Sequence, residues 1–213
     1  MNVPCRGIDV SHWQGVVDWK NVSKYFKFVI LKAGGSDAGF YKDSRFEYNY
    51  LKAKEVGLSI GAYYFVGKKC TSAEAGRLDA DRFANILEGK QFDMPVYLDF
   101  EAPSTKNKKG NTDAAVAFCE RMEDLGYFVG IYASDISGFA ERLYLSRCKP
   151  FTLWVARYGS LPRYVSKYDM HQTTSKGRIK GIDGYVDLNT CYKDFPSIIK
   201  SYGFNGFNKE EKK

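Results

Sequence analysis

Two carboxylates close the stretch Pro95 to Glu101, Pro-Val-Tyr-Leu-Asp-Phe-Glu. The run reads as a short apolar strand. Side chains alternate along a strand, so Tyr97, Asp99 and Glu101 share one face while Leu98 and Phe100 take the other. Acids spaced in this way stand roughly 7 Å apart. Each disfavours the other's ionisation, which lets one of them hold a proton near neutral pH. One protonated carboxyl beside one charged carboxyl is what acid-assisted cleavage of a glycosidic bond requires. A strand that simply ends in solvated acids has the same local sequence, so this segment alone leaves both readings open.

Other residues able to do chemistry fall at similar places. Asp9 ends a first apolar run, Lys32 a second, and Tyr63 with Tyr64 lies near the end of a third. Tyr132, Trp154, Gln172 and Asp187 lie in the four runs that follow Glu101. If these runs are strands of one parallel barrel, all of the residues meet at its C-terminal face, where barrel enzymes keep their active sites. Four carboxylates gathered there, Asp9, Asp99, Glu101 and Asp187, repel one another and lose solvation, so packing alone does not account for them. Tyr and Trp beside them offer flat apolar faces with polar edges, a surface suited to a sugar ring.

The elements that must position these residues follow from periodicity. Strands are predicted at Gly7–Val10, Phe28–Ala33, Ser59–Val66, Pro95–Glu101, Val129–Ala133, Thr152–Ala156, Met170–Thr173 and Tyr185–Leu188. Helices are predicted at Asp18–Phe26, Arg45–Val56, Ser72–Leu87, Thr112–Leu125, Ser137–Leu143 and Tyr192–Tyr202, several of them stopped by glycine. The stretch Ala102–Asn111 reads as a polar loop. Strand–helix alternation implies a parallel sheet covered by helices. About eight strands with helices thinning out late in the chain imply an α/β fold, an irregular (β/α) TIM-like barrel lacking some helices. A doubly wound open sheet is the alternative. One catalytic barrel is expected over residues 1–204, with 205–213 a polar tail or the start of a linker.

Composition narrows the chemistry. The chain has 213 residues, enough for one sizeable core, and a formal net charge of +7. That charge favours an anionic partner, but the basic residues are scattered and no nucleic-acid motif is present. No glycine-rich phosphate loop follows any predicted strand. Five widely spaced cysteines without a C-x-x-C pair, and only two histidines, argue against a disulfide framework and against a metal centre. The first residues lack the apolar core of a signal peptide, and no run is long enough to span a membrane. A chain made in the cytoplasm is therefore expected.

Several motifs together resemble the lysozymes of glycoside hydrolase family 25, the muramidase type found in bacteria and phage endolysins. They are Gly7-Ile8-Asp9-Val10-Ser11-His12-Trp13-Gln14-Gly15, Gly61-Ala62-Tyr63-Tyr64-Phe65, Tyr97-Leu98-Asp99-Phe100-Glu101, Gly130-Ile131-Tyr132, Leu153-Trp154-Val155-Ala156 and Gly181-Ile182-Asp183-Gly184-Tyr185-Val186-Asp187-Leu188-Asn189. The resemblance implies an irregular barrel that hydrolyses the β-1,4 bond between N-acetylmuramic acid and N-acetylglucosamine in peptidoglycan without a metal or cofactor. It implies Glu101 as proton donor, Asp99 as support for the substrate's N-acetyl group, and Asp9 and Asp187 as the other acids of the groove. Tyr63, Tyr132, Trp154 and Gln172 fall where the family lines the sugar site. Two departures bear on subsite preference: Tyr64 stands where His is frequent, and His171 where another aromatic often precedes the Gln.

The partner implied is the peptidoglycan glycan strand, reached after release from the cell, with neither nucleic acid nor membrane as partner. A C-terminal wall-binding module beyond this chain would fit the charged end. A chitinase-like hydrolase of N-acetylglucosamine polymers and a non-catalytic glycan-binding barrel are the competing readings.

Overall fold

Apolar runs, most of them buried on both faces, become the staves of a closed barrel. A computed structural model describes residues 1–209. In chain order the elements are β1 (Cys5–Val10), α1 (Trp19–Val22), β2 (Phe28–Gly35), β3 (Tyr41–Lys42), α2 (Phe46–Glu55), β4 (Ser59–Phe65), α3 (Ala73–Leu87) and β5 (Val96–Asp99). Then come α4 (Lys108–Asp124), β6 (Val129–Ser134), α5 (Leu145–Cys148), β7 (Thr152–Ala156), β8 (Met170–Gly177), β9 (Val186–Cys191) and α6 (Phe195–Tyr202). The strands run β1-β2-β4-β5-β6-β7-β8-β9 and close where β9 pairs with β1. The two-residue β3 is a spur on the edge of β2.

Alternation sorts the side chains into two layers. Val29, Leu31, Tyr64, Leu98, Ile131 and Val155 point outward and pack against the helices. Phe28, Ile30, Tyr97, Trp154 and Met170 point inward and fill the barrel, and Phe195 and Ile199 of α6 join them from below. The inner rings need room. A Cβ at Gly130 would lie 2.6 Å from the Tyr97 ring, and one at Gly7 would lie 2.4 Å from the Phe28 ring. The upper part of the interior is left to the polar residues.

The all-parallel expectation is corrected at one strand. β9 runs antiparallel to both neighbours, β8 and β1. The reason is chain length: only residues 178–185 join β8 to β9, and a parallel crossover needs a dozen residues or more. Gly181 and Gly184, both with positive φ, turn this short connection back. No helix separates β7 from β8 or β8 from β9, as the thinning pattern implies.

Smaller differences have local causes. The helix expected from Thr112 starts at Lys108, because the Asn107 side chain accepts from the Gly110 N–H at 3.2 Å and caps it there. The helix expected over Asp18–Phe26 is regular only from Trp19 to Val22. The helix predicted at Ser137–Leu143 is replaced by a π turn over Asp135–Ala140, and the next regular helix is α5. The chain also stays attached beyond the expected boundary at 205. Asn205 is fully buried; its side chain donates to the carbonyls of Phe92 and Met94 at 3.1 and 3.0 Å and accepts from the Phe128 N–H at 2.7 Å. Residues 205–207 thus tie the base of the barrel, and only the end of the expected tail lies outside the described residues. All five cysteines are buried and free, with Cys5 and Cys191 in register across the β1–β9 seam.

Candidate active site

The polar half of the interior opens at the end where β1 to β8 finish and β9 begins. Because β9 is reversed, Asp187 near its start arrives at the same mouth as Asp9 near the end of β1, and the two are paired in register. Asp99 ends β5, with Glu101 two residues on. Asp9 and Asp99 are 6 % and 5 % exposed, Asp187 is half-buried and Glu101 is exposed. The mouth therefore holds two acids deep and two near the surface.

A hydrogen-bonded network secures the deeper acid on the β1 side, Asp9. Asp9 Oδ2 accepts from Asn189 Nδ2 at 2.7 Å and from Gln172 Nε2 at 3.0 Å. The indole of Trp154 donates to Asn189 Oδ1 at 2.9 Å. The hydroxyls of Tyr132 and Tyr158 both donate to Gln172 Oε1, at 2.8 and 2.9 Å. Each amide is thereby held in one orientation. Asp99 differs: its Oδ1 is buried and has no protein partner. An unpartnered buried acceptor costs free energy unless something else meets it.

Burial governs the ionisation of all four acids. Loss of water raises Asp9 well above the carboxylate range, and repulsion from Asp187 adds to it against the bonds from Asn189 and Gln172. Burial followed by repulsion from Glu101 raises Asp99 well above that range, against the pull of Lys32. Glu101 is raised by desolvation within the mouth and drawn back by Arg142 and then Lys32. Asp187 is raised to about 6, burial again being the main cause. The site thus keeps protons on carboxyls at pH values where free acids have lost them, and Glu101 is the one open to an incoming molecule.

The residues predicted for sugar contact lie at different depths. Tyr63 is half-buried on the wall, and Tyr132 is 7 % exposed. Trp154 and Gln172 are 1 % and 3 % exposed and form the floor. Trp154 packs at 4.5 Å against Tyr132 and 5.1 Å against Tyr97. Tyr64 and His171, the two departures from the family pattern, point away from the mouth. Tyr64 donates to Asp79 Oδ1 at 3.2 Å, and the His171 ring bonds the Arg157 carbonyl at 2.8 Å. Neither side chain reaches the mouth.

Asn189, Tyr158, Arg142 and Lys32 complete the surroundings. Arg142 is anchored by its Nε, which donates to the Pro103 carbonyl at 2.6 Å. A groove of about 580 Å³ runs past Glu101 between Phe65, Tyr132, Arg142 and Tyr158. A larger cleft, about 1010 Å³, opens around the start of β7 beside Phe151, Tyr168 and Lys193. It contains none of the four acids, so its size does not make it the reaction site. Among the described residues no group of three or more His, Cys, Asp or Glu is arranged to hold a metal ion.

Comparison with known proteins agrees with this geometry. Lysozyme M1 of Streptomyces globisporus is 30 % identical over 206 residues, a match covering 86 % of this chain and 66 % of that protein. The autolytic lysozyme of Clostridium acetobutylicum is 28 % identical over 186 residues, covering 86 % of this chain and 55 % of that protein. The chain thus spans just under two thirds of one and little more than half of the other. The crystal structure of the CTP1L endolysin superposes with a TM-score of 0.79 at 29 % identity, over 92 % of this chain and 70 % of that one. The sequence model described as "Glycosyl hydrolases family 25" matches residues 8–182, which includes Asp9, Asp99, Glu101, Tyr132, Trp154 and Gln172. The closed barrel, the acids at its mouth and this match identify the chain as a member of glycosyl hydrolase family 25.

Proposed function

We propose that this chain is a lysozyme that hydrolyses the β-1,4 bond between N-acetylmuramic acid and N-acetylglucosamine in bacterial peptidoglycan, with Glu101 as general acid. The observation that carries the reading is the pairing of an exposed Glu101, its pKa raised by desolvation, with a buried Asp99 whose Oδ1 has no partner, two residues apart at the barrel mouth. The names of the relatives, two lysozymes and an endolysin, support action on walls.

In this reading the acetamido N–H of the bound sugar donates to Asp99 Oδ1. That bond favours the ionised form of Asp99. It also turns the acetamido oxygen toward the anomeric carbon. Glu101 protonates the leaving glycosidic oxygen as the acetamido oxygen attacks. Glu101, now charged, then takes a proton from the water that opens the cyclic intermediate. Asp9, held by Gln172 and Asn189, and Asp187 beside it shape the β1–β9 side of the mouth. Tyr63 and Tyr132 flank the sugar, and Trp154 and Gln172 support them from below.

Mass analysis of wall fragments after digestion tests the assignment. New reducing ends should be on N-acetylmuramic acid. New N-acetylglucosamine ends would reassign the bond, and freed peptides would exclude a glycosidase.

A further inference from the structure

The rim of the mouth on the β1–β9 side carries aromatic surface that the chemistry above does not use. Trp13 is 80 % exposed and Tyr185 is 52 % exposed. The other two tryptophans, Trp19 and Trp154, are 4 % and 1 % exposed. An indole left in water forgoes the burial that normally repays so large an apolar side chain, and here it stands beside a second exposed ring at the edge of a polar mouth.

The indole is held firmly. It sits on the short 3₁₀ turn His12–Gln14 that follows β1, and a capping box fixes that turn. Gln14 Oε1 accepts from the Ser11 N–H at 2.9 Å, and Ser11 Oγ accepts from the Trp13 N–H at 3.2 Å. The His12 ring packs against the indole with centroids 4.6 Å apart. Buried Asp43 grips His12 at both its ring and its backbone N–H, at 2.7 and 3.1 Å. Gln14 Nε2 also donates to the Tyr185 carbonyl at 3.3 Å, tying the turn to the entrance of β9. Arg178 covers the Tyr185 ring at 4.7 Å. Two exposed rings are therefore fixed just past β1 and just before β9, the strands that carry Asp9 and Asp187, three and four strands round the barrel from β5.

We propose that Trp13, with Tyr185 beside it, is a stacking platform for a sugar ring of the glycan strand at a position removed from the bond that is cleaved. The proposal rests on the reading of the mouth as a site of glycan hydrolysis. A flat rigid apolar ring at the edge of a polar groove takes the apolar face of a pyranose at little cost in ordering. Because the platform lies three to four strands round the barrel from Glu101, it serves long strands rather than short ones.

Trp13 supplies its own probe, because it is the one exposed indole of three. Acrylamide quenching of tryptophan fluorescence is measured in Glu101→Gln protein, with soluble peptidoglycan glycans two and six sugars long. The six-sugar glycan should at least halve the quenching constant, the two-sugar glycan should leave it unchanged, and Trp13→Phe should abolish the effect. In the otherwise native protein, Trp13→Ala should raise KM for long strands about 3–10-fold, the range aromatic contacts provide, with kcat and Tm unchanged. Unchanged quenching by the six-sugar glycan under conditions where the native protein cleaves it overturns the platform. So does an equal loss on short and long substrates. A native protein that cleaves no glycan overturns the assigned activity instead, and the quenching result still decides the platform.

Discussion

Asp9 and Asp187 stand opposite each other in the antiparallel seam between β1 and β9, two carboxylates in register where a sheet ordinarily pairs neutral or opposite charges. The bonds from Gln172 and Asn189 draw the Asp9 pKa down without offsetting the rise from burial, because the site is nearly closed to water. Asp187 answers chiefly to its own burial, with a backbone hydrogen bond lowering its pKa and Glu101 raising it. The seam is tolerable at low pH and strained once both acids lose their protons.

Stability therefore depends on pH in a defined direction. The Asp187 pKa is about 6 in the folded chain against 3.8 for the ordinary group. The folded state holds the proton more tightly than the unfolded one. Its contribution to stability is complete below about pH 3.8 and is lost as pH rises through about 6. Asp187→Asn removes that loss. At about 1.4 kcal/mol per unit, reduced for partial solvent screening, the gain at pH 7.5 is about 1–2 kcal/mol. Thermal melts from pH 4 to 7.5 should show the variant and the native protein together at the acid end and separating as pH rises. A constant gap would locate the effect elsewhere.

Glu101→Gln keeps the shape of the side chain and removes its proton. A general acid contributes on the order of 10²–10⁴ in rate, so turnover should fall by about that factor. The melting temperature should hold, because Glu101 is exposed and makes no side-chain hydrogen bond that the structure records. Retention of more than about a tenth of native turnover would transfer the acid role to another of the four carboxyls.

Arg142 gives the acid its upper working limit. Its positive charge stabilises ionised Glu101 and draws the pKa down against desolvation. Arg142→Met keeps much of the stem and removes the charge. Glu101 then holds its proton to higher pH, and the alkaline limb of the kcat/KM profile moves upward. A purely structural role for Arg142, through its bond to the Pro103 carbonyl, would lower the whole profile without moving the limb.

Much of this site is legible along the chain because a strand has period two. Asp99 and Glu101 share a face with Tyr97, and the same rule places Asn189 with Asp187, so the residue that holds Asp9 was within reach of the pattern. The direction of β9 is also encoded, in eight connecting residues with Gly181 and Gly184, but only when length is weighed beside strand propensity. Depth is a different matter. Nothing in the type of Trp154 distinguishes a sugar platform from the floor beneath one, and the structure puts it at 1 % exposure while Trp13, just past the first strand, stands at 80 %. Arg142 and Tyr158 sit outside regular strands, and long-range packing alone brings them to the groove.

Stereochemistry tests the arrangement of the acids as a whole. A carboxylate nucleophile needs a second carboxyl about 5–5.5 Å from the acid across the bond, and an inverting base needs one about 6.5–9.5 Å away with water between. Asp99 and Glu101 leave the same strand and approach a sugar from the same side, which suits neither. It suits attack by the substrate's own acetamido oxygen, with Asp99 Oδ1 holding the N–H that the protein leaves it free to accept. Two displacements at one carbon restore the configuration, so the β-anomer should be released first. Asp9 and Asp187 reach the mouth from the β1–β9 side, but Asp9 is nearly buried and its Oδ2 is already taken by two amides, which makes it poorly placed as a base for water. Following the first product from a defined oligosaccharide by NMR decides between the two. Initial α-anomer would remove the acetamido route and give Asp187 the role of base.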